Sequence, residues 1–307
     1  MLPEFVICGA QKSASTFLQN CLKEHPQVLM PRGETPLFES PFYEDIKNIQ
    51  ELELVSIPQH FLEKYPDIKV GIKRPNYLAS PEVPGRLSIH IPHAKLIFVL
   101  RNPVDRAISA YFHYVRDGFL PVKDIELGMP DILDSDSFKN EYKRAIEVIE
   151  FGYYGKYLES YLRFFDKTQI LVFLHEDIAS DPLSTVKATF EFLDIDSSYI
   201  PKSLHSRPQS VVYNIKRLHW LQKRLPFSYL YNVDRTRCTP KRAGAIPLDK
   251  FASYFFVGFD KFILNMLLGN EKPVLSESLR SRLSEIYKND IAHLEKLIGR
   301  NLSHWKI

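Results

Sequence analysis

The sequence predicts an α/β protein of three layers, in which a mostly parallel sheet is covered on both faces by helices. Three observations carry this. Residues 5–8, 70–72, 96–100 and 170–174 are continuously apolar, without alternation, which is the pattern of strands buried on both faces. Segments with helical spacing fall between and around them, near 14–24, 82–90, 103–117, 138–165 with a break at Gly152, and 183–193. Strand–helix alternation of this kind builds parallel crossover units. Finally, no repeat, low-complexity tract or Gly/Ser linker divides the 307 residues. A single domain over 1–307 is therefore expected, with a core at about 4–200 and a long loop with helices at about 200–307.

The first strand, Phe5-Val6-Ile7-Cys8, runs into Gly9-Ala10-Gln11-Lys12-Ser13-Ala14-Ser15-Thr16 and then a helix from Phe17 to Lys23. Small residues before a helix let backbone N–H groups face an anion, where unpaired donors and the helix dipole favour negative charge. Lys12, Ser13, Ser15 and Thr16 add side-chain donors. The nucleoside-triphosphatase loop places its Lys directly before the final Ser/Thr, whereas Lys12 lies four positions before Thr16 and Ala14 stands in place of the second Gly. The loop is thus P-loop-like without being that motif. The second run ends at Lys73. The third, Leu96 to Leu100, is followed by Arg101-Asn102-Pro103-Val104-Asp105-Arg106-Ala107-Ile108-Ser109. Arg101 sits at the carboxyl end of a strand, the edge at which open α/β sheets bind ligands. Pro103 suits a helix start, and Ser109 falls about two turns along. The fourth run, Ile170 to Leu174, leads to His175. Irregular stretches are expected near 28–60, 117–136 and 199–250. A last helix is expected from an N-cap at Ser276, with Leu279, Leu283, Ile286, Leu294, Leu297 and Ile298 in register as far as Gly299.

Composition narrows the function classes. No run approaches the ~20 uncharged apolar residues of a membrane span, no leader is expected before the first strand, and three cysteines, Cys8, Cys21 and Cys238, form no disulfide framework or zinc pair. A cytoplasmic protein without a membrane span is expected. His90 and His93 lack a third ligand, so no metal is expected. From Lys216 to Arg242 there are eight Lys or Arg against one acid, Asp234, interleaved with Trp220, Phe227, Tyr229 and Tyr231. A nucleic-acid surface is the sharp reading of this stretch. Positive potential over a small anionic ligand is preferred, and no nucleic-acid partner is expected.

The loop after the first strand and the RNPVDRAISAYFHY segment together resemble the sulfotransferases that use 3′-phosphoadenylyl sulfate (PAPS), closest in flavour to the heparan-sulfate-type and related bacterial enzymes. The resemblance implies a sulfotransferase fold. It implies that Lys12, Ser13, Ala14, Ser15, Thr16 and Phe17 form the 5′-phosphosulfate loop, and that Arg101 and Ser109 hold the 3′-phosphate. Ala14 departs from the family's usual Gly. Arg32-Gly33-Glu34-Thr35-Pro36-Leu37-Phe38 looks like the family's K-E-P-x-F-F segment, which implies Glu34 as general base. Gly71-Ile72-Lys73-Arg74-Pro75-Asn76-Tyr77 looks like its E-K-x-P-x-Y-F segment, which implies that Lys73 faces the reacting groups. Gly152 to Leu158 looks like its G-x-Y-A-x-x-L helix, and His175 stands where relatives carry a Tyr beside the adenine. The donor-covering loop should lie within 205–245, where Pro240-Lys241-Arg242-Ala243-Gly244 matches its signature only approximately.

The implied activity is sulfuryl transfer from PAPS to a hydroxyl of a saccharide or small metabolite, with the bisphosphate PAP as product and no metal. Lys12 would stabilise the leaving phosphate. Glu39 is the rival base, with a loop surface charge as its plainer reading; His25 and His113 read as structural. A kinase with a P-loop-like site and a non-catalytic nucleotide-binding module are the alternatives. The first requires a Mg²⁺-binding acid and a Lys beside Thr16, and neither is evident.

Overall fold

The structure is a computed structural model that describes residues 2–44, 67–206, 211–241 and 247–305. In chain order its main elements are β1 (Phe5–Gly9), α1 (Ser15–Glu24), β2 (Val28–Leu29), β3 (Lys69–Lys73), α2 (Val83–His90), β4 (Lys95–Leu100) and α3 (Pro103–Arg116). There follow α4 (Ile125–Asp134), α5 (Tyr154–Leu162), β5 (Ile170–Leu174), α6 (Pro182–Phe192), α7 (Ile215–Gln222) and the short strands Tyr229–Tyr231 and Cys238–Pro240. Last come α8 (Pro247–Phe259), which continues through a π-helical stretch, Asp260–Leu264, into Asn265–Leu268, and α9 (Glu277–Ile298). Contacts cluster into two compact units. One comprises Met1–Arg106, Tyr153–Gln209 and Tyr287–Ile307; the other comprises Ala107–Gly152 and Ser210–Ile286.

The first unit holds a five-stranded sheet of order β2-β3-β1-β4-β5 in which every pair is parallel. The α/β expectation is met, and four of the strands coincide with the four apolar runs. Strand β2 was missed because two residues carry no periodicity. Every residue of β1 is buried, and Phe5, Ile7, Ile97 and Val99 join Phe17, Leu18, Val186 and Phe190 in one apolar cluster. Phe5 pairs in register with Gly71, where an added Cβ would lie 2.1 Å from the Phe5 ring. Only glycine leaves room there. Within the same unit, Asp290 of α9 accepts the Gly155 and Lys156 N–H groups at 2.9 and 2.8 Å, supplying partners to the otherwise open first turn of α5.

The second unit contains more helix than the sequence suggested. Helix α4 falls in the stretch near 117–136 that was expected to be irregular, and it contains both Gly128 and Pro130. Asp124 caps it by accepting the Glu126 N–H at 2.9 Å, and Gly128 is a packing residue, since a Cβ there would meet the Tyr111 hydroxyl at 2.0 Å. Ser276 caps α9 as expected, accepting from Leu279 at 3.3 Å. No uncharged run of membrane length is present in the sequence, but among the described residues one helix comes close in composition. Asp249–Leu268 is a 20-residue helix long and apolar enough, by length and composition, to cross a membrane, and little of it is buried. Four charged residues, Asp249, Lys250, Asp260 and Lys261, interrupt it, which hides it from a search for an uncharged run.

Asp117 shows how charge is handled in this unit. Its nearly buried carboxylate meets Arg116 at 2.9 Å, Arg224 at 3.2 Å and His113 at 3.4 Å. Burial pushes its pKa up, but His113, Arg116 and Arg224 outweigh that and hold it down at about 2, against an ordinary 3.8. A carboxyl with a depressed folded pKa stabilises fully above its unfolded pKa and loses that contribution as pH falls through the folded value. Stability should therefore drop between about pH 4 and 2 by roughly 2 kcal/mol from this group. Asp117→Asn should flatten that part of the profile in urea melts, and it should cost roughly 3 kcal/mol at pH 7 because buried cations lose their partner.

Candidate active site

The candidate site is built at the carboxyl ends of β1, β3 and β4 in the first unit. After β1 the chain turns through Lys12 and Ala14, both in left-handed backbone with φ of 66° and 73°. Ala14 is the N-cap of α1 and offers no capping side chain. Ser15 and Thr16 open the helix. Phe17 turns its ring into the apolar cluster and uses its N–H on the Ala14 carbonyl at 2.9 Å, so it positions the loop from below.

Ser13 is completely buried, and its Oγ has no hydrogen-bond partner among the described residues. Burial pushes the Tyr154 phenol up to about 12, with Arg106, Ser13 and Arg101 acting against the rise, yet among the described residues neither the Ser13 nor the Tyr154 hydroxyl completes a hydrogen bond. Arg101 reaches from the end of β4 and donates to the Lys12 carbonyl at 3.3 Å. His175 begins a short helix after β5; burial, then the Arg101 charge, holds its imidazole below the ordinary value. In the second unit, Ser109 on α3 is buried, and its Oγ likewise has no partner.

Lys73, the last residue of β3, is only 4% exposed and donates to Thr16 Oγ1 at 3.0 Å, with Glu34 Oε1 3.6 Å away. Burial lowers its pKa while Glu34 pulls it back up. The Glu34 loop is pinned from several sides. Gln19 of α1 donates to the carbonyls of Pro31 at 3.2 Å and Gly33 at 3.4 Å, the Thr35 N–H bonds the Lys73 carbonyl at 3.0 Å, and the Tyr77 hydroxyl donates to the Thr35 carbonyl at 2.5 Å. The Glu34 side chain, 41% exposed, bonds Arg74 at 3.0 Å through its second oxygen.

Glu39, the rival base, is not a loose surface charge. Its two oxygens clamp Arg74 at 2.8 and 2.6 Å. His25 is structural as expected, bonded to the Asp196 carbonyl and the Gln27 N–H. Arg74, Gln19 and Tyr77 were missed as site residues, although Arg74 and Tyr77 lie inside the segment that contains Lys73. Among the described residues no group of three His, Cys, Asp or Glu could hold a metal ion. Of the donor-covering segment, residues 207–210 and 242–246 lie outside the described residues, Arg242, Ala243 and Gly244 among them. Lys241 pairs with Asp249 at 2.9 Å.

The left-handed Ala14 makes a test of the loop's strain. An L-residue in this region costs about 1–2 kcal/mol, while glycine adds about 0.4–1 kcal/mol of unfolded-state entropy. Ala14→Gly should therefore raise stability by up to about 1 kcal/mol, read as a higher urea midpoint at unchanged slope, and Ala14→Val should lower it.

A family model described as the sulfotransferase domain matches residues 2–224. The chain is 28% identical over 200 residues to heparan sulfate glucosamine 3-O-sulfotransferase 3B1 of Mus musculus, a match covering 63% of this chain and 46% of that protein. It is 22% identical over 314 residues to the bifunctional heparan sulfate N-deacetylase/N-sulfotransferase 3 of Homo sapiens, covering 99% and 31%. The chain thus spans less than half the length of these curated relatives. The crystal structure of a sulfotransferase from Alicyclobacillus acidocaldarius shares the fold, with a TM-score of 0.64 over 100% of both chains at 22% identity. The cytoplasmic expectation does not stand beside these matches: the relatives are heparan sulfate sulfotransferases, and three unpaired cysteines and the position of the first strand do not fix a compartment. The family match runs through the whole parallel sheet and the loop after β1, and this chain belongs to the sulfotransferase domain family.

Proposed function

We propose that this chain transfers a sulfuryl group from PAPS, the family's usual donor, to a hydroxyl of a saccharide or small-metabolite acceptor. The observation that carries the reading is Lys73. It links Thr16 of the anion-binding loop to Glu34, so the place where sulfate would leave its phosphate and the place where an acceptor would lose its proton are held by one buried side chain. The Ser13 and Ser109 hydroxyls, two of the buried hydroxyls with no partner among the described residues, fit phosphate oxygens, because a buried hydroxyl without a partner is costly unless a ligand supplies one.

The residues divide the work in the way sulfuryl transfer needs. The transfer is an in-line displacement in which charge gathers on the leaving phosphate and spreads over the equatorial oxygens, so fixed positive charge and positioning are the main tools. Lys12, Ser13, Ser15, Thr16 and the amides of the loop bind the 5′-phosphosulfate, and Lys12 stabilises the leaving phosphate oxygen. Arg101 and Ser109 hold the 3′-phosphate, with His175 near the adenine. Glu34 accepts the acceptor's proton as the new S–O bond forms. Lys73 and Arg74 orient Glu34, and Glu39 holds Arg74.

Two experiments separate donor binding from chemistry. Adenosine 3′,5′-bisphosphate should raise the melting temperature far more than ATP or AMP, and Arg101→Ala should weaken its affinity roughly ten- to a hundredfold, the loss expected for one charge-assisted contact. Equal shifts for all three nucleotides would remove the donor assignment. Glu34→Gln should keep near-normal affinity for the bisphosphate while turnover, followed as a mass gain of one sulfate on an acceptor panel, falls by ~10²–10⁴-fold. Lys12→Ala should harm both.

A further inference from the structure

We propose that the face of α8 and its continuation, Asp249–Leu268, is a membrane-surface anchor that lays this chain on an anionic lipid bilayer. The second unit holds the helix along one side only. Arg217 of α7 donates twice to the buried carboxylate of Asp260, at 2.8 Å each, and also reaches the Gly269 carbonyl at 3.2 Å. The Trp220 indole N–H donates to the Phe256 carbonyl at 2.9 Å, and its ring packs on Phe256 and Phe259. The opposite side is apolar and open. Phe251 is 70% exposed, Tyr254 76%, Phe262 68%, Met266 75% and Leu267 67%.

These residues form one stripe. Phe251, Tyr254 and Phe255 recur at helical spacing. The π-helical stretch Asp260–Leu264 sets back the rotation of the last turns, which keeps Phe262, Met266 and Leu267 on the same side as Phe251. Asp260 stays turned inward against Arg217. An apolar stripe of this size left in water marks an interaction surface, because soluble proteins rarely expose contiguous apolar area on this scale.

Length, charge and composition decide the occupant. Twenty residues make a rod of about 30 Å, too long a stripe for a small ligand. Cations flank it: Lys223 lies 5.5 Å from the Trp220 ring, whose neighbours include Phe255 on the stripe, and Lys261 lies 5.4 Å from the Phe262 ring. Long apolar side chains bordered by Lys, with Trp and Tyr alongside, suit the boundary between headgroups and acyl chains. The helix lies on the bilayer and does not cross it. Crossing would strip Asp260 from Arg217, and breaking a buried ion pair leaves an unpaired charge.

The test is sedimentation of the full chain with vesicles of phosphatidylcholine alone or with three-tenths phosphatidylserine. The expected result is binding to the anionic vesicles that weakens with salt. The triple variant Phe251→Ser, Phe262→Ser and Met266→Ser should lose about a hundredfold or more in partitioning, since it removes most of the inserted apolar area. Its far-ultraviolet circular dichroism and melting should be unchanged, because the side chains touch little of the protein. The pair Lys223→Gln and Lys261→Gln, which leaves the stripe intact, should lower binding to anionic vesicles by about fivefold per charge and leave binding to neutral ones alone. No vesicle binding by the wild type, or binding indifferent to both variants, overturns the proposal. A stable dimer in sedimentation velocity that the triple variant abolishes, with no lipid binding, overturns it in favour of a second copy of this chain.

Discussion

The candidate site depends on one buried ammonium group. Parallel pairing with β1 brings the end of β3 beside the loop that precedes α1, and there Lys73 is taken out of water. A charge so placed is expensive unless it is paired and hydrogen-bonded. Thr16 and Glu34 are its partners, and each belongs to a different segment. The cost of burying Lys73 therefore ties strand, phosphate-type loop and Glu34 loop into one arrangement. Arg74 extends it by holding Glu34 with one nitrogen and Glu39 with the others. Glu39 works here as a counter-charge for Arg74, and that leaves Glu34 as the exposed carboxylate of the group.

The loop after β1 departs from ordinary packing in two ways that point to the same cause. Its backbone adopts left-handed conformations at Lys12 and Ala14, which L-residues avoid. Its Ser13 hydroxyl is buried with no partner among the described residues. Either feature costs free energy in the isolated chain, and folded proteins tolerate such costs chiefly where a ligand or a reaction uses them. An anion bound across the loop would satisfy the hydroxyl and draw on the turned amides at once.

The sheet was legible in the sequence because buried parallel strands are continuous apolar runs, and β1, β3, β4 and β5 fell where those runs are. Lys12 and Arg101 were read as candidates because they follow the carboxyl ends of such strands, and Glu34 and Lys73 because their segments resemble those of the family. What escaped was pairing. Nothing in the spacing of Arg74 and Glu39 announces a clamp across 35 residues, and Gln19 reads as a helix-surface amide until its two carbonyl partners are seen. Helix α4 escaped because Gly128 is a glycine for Tyr111's sake and not for a turn's.

Helix α8 escaped for a related reason. Its four charged residues break the apolar run, and its π-helical stretch breaks the 3.6-residue period on which amphipathic patterns are recognised. In the folded unit those same irregularities are what make the helix two-sided. Asp260, expensive to bury, is fixed by Arg217, and the extra residue of the π turn brings the later aromatic and aliphatic side chains back into line with the earlier ones. Lys73 and Asp260 thus obey one rule in two separate units. A buried charge with a dedicated partner adds little net stability, but it allows an element only one position: Lys73 fixes where the Glu34 loop stands beside α1, and Asp260 fixes which side of α8 faces Arg217 and which is left open.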